Sequence, residues 1–352
     1  MDHSQPARAG IRDIARAAGV SEATVDRVLH GRPNVRPATA ERVLKAAAES
    51  RYLPEAELAK LARRDRKRLI VVLPGSANSY IRGLNAELRI WAQTRDRGAR
   101  IQSFLVDSME PGEMARCLRR LGRKADAVAF FGVDHPIVRD EADALVDAGK
   151  TVMTLISDVT GCRRQAYIGI DNLAAGRTAA FLMARAAPPK GGKVAVVAAT
   201  RHYRAHVERE LGFQELIQRD WPHLQFAGTV EGQDNPQINA RLTAELLERT
   251  PDLIGIYNVG GSSEGIGAEL RRRISTGRVQ LIGHGLSPGT RKMLSEGVMS
   301  AVLTQRSQSL LEVMVDQLHM VAVPGFLPLQ FVFPTNLPVG SAEADSGAME
   351  KN

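Results

Sequence analysis

Two rhythms of apolar residues divide the chain. Near the N-terminus they recur every three to four positions. Ile11, Ile14, Ala15 and Ala18 make one stripe, Val25, Val28 and Leu29 a second, and Ala40, Val43, Leu44 and Ala47 a third. That spacing predicts three amphipathic helices. Gly19 stops the first, Ser21 stands where a capping hydroxyl is wanted, Gly31 ends the second, and Pro37 suits the first turn of the third. Two short helices joined by a turn containing glycine predict a helix-turn-helix unit, whose second helix can enter a DNA major groove. On that helix Glu22, Ala23, Asp26, Arg27 and His30 fall opposite the apolar stripe.

From Leu69 the rhythm changes. Short apolar runs (LIVVL, RIQSFLV, AVAFF, TVMTL, KVAVVA, QFAGTV, LIGIY, QLIGH and MSAVLT) alternate with amphipathic stretches such as GLNAELRIWAQ, EADALVDAG and PQINARLTAELLER. Alternation of this kind predicts an α/β body of parallel strands covered by helices. The strands are too many for one open sheet of usual size and divide into two.

Charge adds direction to this picture. The net charge is +8; residues 1–68 hold 15 Lys/Arg against 9 Asp/Glu, and the remaining 284 hold 32 against 30. The surplus sits on the predicted helix-turn-helix, where phosphates would be met. The two cysteines, Cys117 and Cys162, have neither metal nor disulfide spacing, so no metal site and no cofactor are expected. The opening MDHSQPARAG lacks an apolar core of signal-peptide length, and no run of 18 apolar residues exists. A cytoplasmic protein without a membrane partner is expected, with residues 1–9 disordered.

The stretch GVSEATVDRVLHGRPNV resembles the recognition helix of the LacI (lactose-repressor) family of bacterial regulators, with Thr24-Val25, Arg27-Val28 and Pro33-Asn34-Val35 in matching places. PATAERVLKAAAESRYLP resembles that family's third helix and Tyr-x-Pro exit. The strand–helix order that follows is similar to the family's body, a two-lobed domain of the type I periplasmic sugar-binding kind. DHP at 134–136, SDVTGCRR and IGIDNLAAGRTAA resemble a subgroup with ribose-type lobes. The resemblance implies a DNA-binding head over residues 9–54, a hinge over 55–68 and a sensing body over 69–340. One lobe takes 69–169 and 304–325, the other 170–303 and 326–340, and a disordered tail covers 341–352. It further implies a homodimeric regulator, a repressor, bound to a double-stranded DNA operator and controlled by a small-molecule effector, a sugar or polyol. DNA contacts are expected from Ser21, Glu22, Ala23, Thr24, Arg27, His30, Asn34, Arg36 and Thr39, with Leu61 of the hinge wedged into the minor groove. The alternative is a cytoplasmic sugar-binding module with a vestigial head.

Ligands of doubly wound sheets lie at the carboxyl ends of strands. Those ends offer Ser76, Asn78 and Tyr80, then Asp134 and His135, then Asp158, and further on Arg201, Arg209, Asn258, His284 and Gln305. By the resemblance, several occupy positions that touch a sugar: Arg209 three before Gly212, Asn258 at the end of LIGIY, Gln305 at the crossover in VLTQ. Amides and carboxylates share hydroxyl protons, arginine offers a fork of donors, and Tyr80 can stack on a sugar face. Asp158 and Arg209 are the expected clamp between the lobes. One anchor departs from the subgroup, which carries an acid after the histidine of GHGLSP; here that residue is Gly285.

Two other signals count for less. GGSSEGIG at 260–267 has the spacing of a dinucleotide-binding turn, but no tyrosine follows Tyr257 to serve a short-chain dehydrogenase, and no enzyme is expected. His202 and His206 lie four apart without a third metal ligand and read as a surface pair.

Overall fold

The N-terminal stripes become helices around one small core. The computed structural model describes residues 10–32, 35–54, 57–58, 67–75, 77–94, 99–273, 278–318 and 325–338. Helix α1 spans Ile11–Ala18, α2 Glu22–Leu29 and α3 Pro37–Glu49. Gly19, left-handed at φ 64°, closes α1: its N–H and that of Val20 return to Arg16 O and Ala15 O. Ser21 Oγ accepts from Thr24 N–H at 3.2 Å and caps α2. Ile14, Val25, Val43 and Ala47 are fully buried together. Leu58 joins this core at 7% exposed, past the expected end of the head at residue 54. Pro54 turns the chain there, and the N–H groups of Glu57 and Leu58 return to its carbonyl at 2.9 and 3.1 Å. The expected disordered ends at 1–9 and 341–352, and most of the expected hinge, lie outside the described residues.

The body alternates as its rhythm predicts. In order come β1 (Lys67–Pro74), α4 (Ser79–Thr94), β2 (Ala99–Val106), α5 (Pro111–Gly122), β3 (Ala127–Phe131), α6 (Pro136–Asp147), β4 (Thr151–Leu155) and β5 (Ala166–Ile168). The chain continues with α7 (Asn172–Arg185), β6 (Gly192–Ala198), α8 (Arg204–Asp220), β7 (Leu224–Glu231), α9 (Pro236–Arg249), β8 (Leu253–Asn258) and α10 (Ser263–Arg272). Then follow β9 (Gln280–His284), α11 (Pro288–Ser295), β10 (Ala301–Thr304), α12 (Ser307–Leu318) and β11 (Gln330–Val332). One sheet has the order β2-β1-β3-β4-β5, the other β11-β10-β9-β8-β6-β7. The paired strands from β3 to β10 run parallel, and β11 closes the second sheet antiparallel to β10. Central strands covered on both faces read as unbroken apolar runs: β3 is buried throughout and β1 from Leu69 onward.

Three elements escape the apolar rhythm. β5 and β11 are three residues each, too short to show a period, and α5 hides in the charged run PGEMARCLRRLG behind a proline at its first turn. The chain passes from the first lobe to the second after β5. It returns after β10, when α12 packs on β5. It then crosses again to β11, with Leu327 N–H bonded to Gly169 O at 2.8 Å.

Candidate functional site

In the head, the face of α2 turned away from the core carries the expected contacts. Arg27 is exposed and makes no hydrogen bond or ion pair among the described residues, and Arg36, exposed just before α3, likewise has none. Ala23 is exposed beside them, and Thr39 is half-buried in the first turn of α3. Four expected contacts, Ser21, Thr24, Glu22 and His30, are already partnered. Ser21 Oγ serves the cap and lies 2.9 Å from Thr24 Oγ1. Glu22 accepts from Arg12 Nε at 2.9 Å, and that hydrogen bond, with the carboxylate's charge, raises the Arg12 guanidinium further. His30 Nδ1 faces Asp26 at 2.9 Å. These pairs are solvent-exposed and weak, so a phosphate or base can replace them. Asn34 and Leu61 lie outside the described residues.

In the body, a cavity of about 50 Å³ opens between the lobes at the strand ends. The first lobe and the crossovers give it an apolar side, with Ile81, Phe131, Ile156 and Ile170. Polar groups converge from both lobes: Asn78 and Tyr80 from the first, His206, Arg209 and His284 from the second, and Gln305 from the return crossover. Arg209 is 6% exposed. Its Nε donates to Asn172 Oδ1 at 2.9 Å and Nη1 to Val259 O at 2.8 Å; burial pushes its pKa down. Two glycines set its position: a Cβ on Gly176 would lie 2.0 Å from Arg209 O, and one on Gly212 2.1 Å from Leu173 O. The close approach of α7 and α8 therefore depends on both.

The other cavity groups are held neutral. Burial and the nearby Arg209 push His206 down to about 3 and His284 well below its usual value. Tyr257 OH, kept protonated by burial, shares a hydrogen bond with His284 Nε2 at 2.7 Å. Burial raises Tyr80 to about 12; its hydroxyl faces Gln305 and Ser307 without completing a hydrogen bond of good geometry. Gln305 Oε1 is likewise buried without a partner. The lobes meet directly around the cavity. Asn78 Nδ2 donates to Asp234 Oδ2 at 2.9 Å, Ser79 Oγ to Glu264 Oε1 at 2.9 Å, and Asp134 N–H to His202 O at 2.7 Å.

Five of the expected ligand residues therefore come together: Asn78, Tyr80, Arg209, His284 and Gln305. Others do not. Asp158, the expected partner of Arg209 in a clamp, is committed within its own lobe. Thr154 Oγ1 and Arg164 Nε each donate to Asp158 Oδ1 at 2.6 Å, and Arg164 pairs with its second oxygen too. Asp134 accepts from the N–H and hydroxyl of Thr160, both at 2.8 Å, and His135 caps α6 through Ile137 N–H. Arg201 is exposed between Glu210 and Glu231. Asn258 is buried behind the wall, donating to Gly261 O and Ser263 Oγ. Ser76 lies outside the described residues. His206, read from the sequence as half of a surface pair, is instead buried on the cavity wall. The missed signal is its place on the inward stripe of α8, one turn before Arg209 and two before Phe213. Asp234 was missed as well; it is buried, and desolvation raises its pKa.

The geometry agrees with what known proteins share with this chain. The periplasmic binding protein domain matches residues 115–325, and the lacI family of bacterial regulatory proteins matches residues 10–55. The chain belongs to the periplasmic binding protein domain family and carries a lacI-family head. The sucrose operon repressor of Escherichia coli is 34% identical over 131 residues, which are 36% of this chain and 39% of that protein. Catabolite control protein A of Staphylococcus aureus is 23% identical over 244 residues, 69% of this chain and 72% of that protein. This lacI-headed chain thus matches well under half the length of the sucrose repressor. Among solved structures, a solute-binding protein from Burkholderia graminis in complex with D-arabinose superposes with a TM-score of 0.71 at 20% identity, covering 78% of this chain and 98% of that one. A glucose-galactose binding protein from Geobacillus stearothermophilus gives 0.68 at 18%, covering 78% and 100%. These likenesses establish the two-lobed fold of the body. Among the described residues of this family member, no helix is long and apolar enough to cross a membrane.

Proposed function

We propose that the chain is a cytoplasmic transcriptional repressor that binds an operator through its lacI-family head and senses a sugar or sugar derivative through its two-lobed body. The observation that carries this reading is the pairing, on one chain, of a lacI-family head bearing an exposed Arg27 with a body whose cleft gathers polar groups from both lobes. In this reading residues 9–54 read DNA, 55–68 link, and 69–340 sense. Arg27 meets a base edge, a guanine, through its fork of donors. Arg36 and Thr39 hold phosphates, Glu22 accepts from a cytosine amine, and Asn34 and Leu61 act as the family resemblance implies. One head reads few base pairs, so two copies act on a near-palindromic site.

Sensing follows from differential affinity. A ligand touching Tyr80 in one lobe and Arg209 in the other favours the closed body only as far as it binds that state better than the open one. Operator binding by the full chain, measured with and without a library of sugars and sugar derivatives, tests the reading. The expected result is a symmetric two-half-site footprint whose affinity changes with one class of ligand. A footprint on a single asymmetric half-site removes the dimer. Ligand binding without sequence-selective DNA binding reduces the chain to a sugar-binding module.

A further inference from the structure

Resting on the sensing role above, we propose that the ligand of the inter-lobe cavity is a sugar acid, a polyhydroxylated molecule whose carboxylate takes the open edge of Arg209. The Arg209 guanidinium stays charged in a protein, and it is 6% exposed. Its two hydrogen bonds go to neutral oxygens, Asn172 Oδ1 and Val259 O, and Nη2 has no partner among the described residues. Among the described residues, no carboxylate lines the cavity. Where an acid would follow His284 there is Gly285, and the ring of Tyr80 covers the space its side chain would need. Asp158 is held by Arg164. The two acids whose charges reach Arg209 are turned elsewhere, Asp234 to Asn78 Nδ2 and Gly261 N–H and Glu208 to Arg204 Nε.

A buried cation with only neutral partners is unfavourable, and an anion of matching geometry compensates it. A carboxylate does so through two parallel bonds to one guanidinium edge. A neutral sugar supplies dipoles but no charge. The remaining cavity groups suit the hydroxylated part of such a ligand: Gln305 Oε1 is a buried acceptor with no well-aligned donor among the described residues, and the Tyr80 hydroxyl facing it can both donate and accept. Phe131 and Ile170 offer an apolar wall for the C–H face. A phosphate ester fits less well, because it brings close to two charges and, among the described residues, Arg209 is the one cation on the wall, His206 and His284 both being neutral.

The test titrates the full-length protein, by calorimetry and thermal shift, with matched pairs: glucuronate against glucose, galacturonate against galactose, and gluconate against sorbitol. Glucose 6-phosphate serves as the phosphate arm. One acid is expected to bind about 100-fold more tightly than its neutral partner. Gln305→Glu, close in size, puts a carboxylate into the cavity and should weaken that acid about tenfold or more while the melt stays cooperative. A neutral sugar that binds as tightly as its acid overturns the inference and leaves the sensing role standing. A phosphate ester that binds where no acid does overturns it too. If no probe binds, the sugar-acid assignment falls, and operator binding by the same preparations decides the regulatory role separately.

Discussion

The head and the cleft hold their arginines in opposite ways. Arg27 stands exposed on α2 with no partner among the described residues, whereas Arg209 is buried and tied at two of its nitrogens to Asn172 and Val259. A surface that meets a large charged polymer can leave its donors free, because water satisfies them until the polymer arrives. A cavity cannot: each polar group must be partnered by its neighbours or by the ligand. The head is thus a local device built from one short run of sequence, and the cleft is assembled from strand ends far apart in the chain.

The largest effect should come from breaking the head alone. Ile14→Ala opens a hole in the small core formed with Val25 and Val43. A loss of about 2–5 kcal/mol exceeds what so small a unit can spare, so operator binding should vanish. Calorimetry should still find the body's transition near its wild-type temperature; a body transition that moved with the head would show that the two regions do not fold independently.

Acid should strike the other side. Folded, His206 and His284 are held neutral; unfolded, each takes up a proton below about 6.5. The unfolded chain then binds more protons, so stability falls with falling pH, by up to about 1.4 kcal/mol per pH unit for each histidine. The loss begins near the unfolded value and for His206 continues toward about 3. Melting at pH 7 and pH 5.5 should show the body's transition dropping, and His206→Asn should roughly halve that slope. A pH-independent body transition would mean that these rings are already protonated or exposed.

Arg209→Ala leaves Asn172 Oδ1 and Val259 O without their donor and should cost the body about 1–3 kcal/mol. It should also remove the thermal shift produced by the ligand. Undiminished ligand binding by calorimetry would take Arg209 out of the site.

Arg27→Ala should cost about 1–3 kcal/mol of operator affinity and relax one base position, with the body's melt unchanged. Arg36→Ala should be smallest: a uniform weakening across sequences and a salt slope shallower by about one unit. If both variants gave the same sequence-independent loss, the division between base and phosphate contact would fail.

What the sequence made legible follows the same division. The head could be read because its stripes lie within single helices and its turn within three residues. Leu58 was lost because four residues beyond a proline, among charged neighbours, carry no period. Both sheets could be read from runs such as AVAFF and KVAVVA. The cleft was legible only in part, because a strand end says where a side chain begins and not which neighbour it meets. Asp158 reads as a ligand until Arg164, six residues on, is seen holding it. His206 reads as a partner of His202 until the inward stripe of α8 claims it along with Arg209 and Phe213.

Gly285 has a left-handed φ of 79°, and a Cβ built there would lie 2.7 Å from Tyr80 Cγ. The backbone angle alone would tolerate an aspartate, since that residue enters the left-handed region more readily than most; the ring would not. Positions 80 and 285 therefore cannot be changed in either order. Tyr80→Ala followed by Gly285→Asp passes through a folded intermediate with a widened cavity. The reverse order passes through a collision. Any route to an acid after His284 therefore runs first through the loss of an aromatic ring from the opposite lobe.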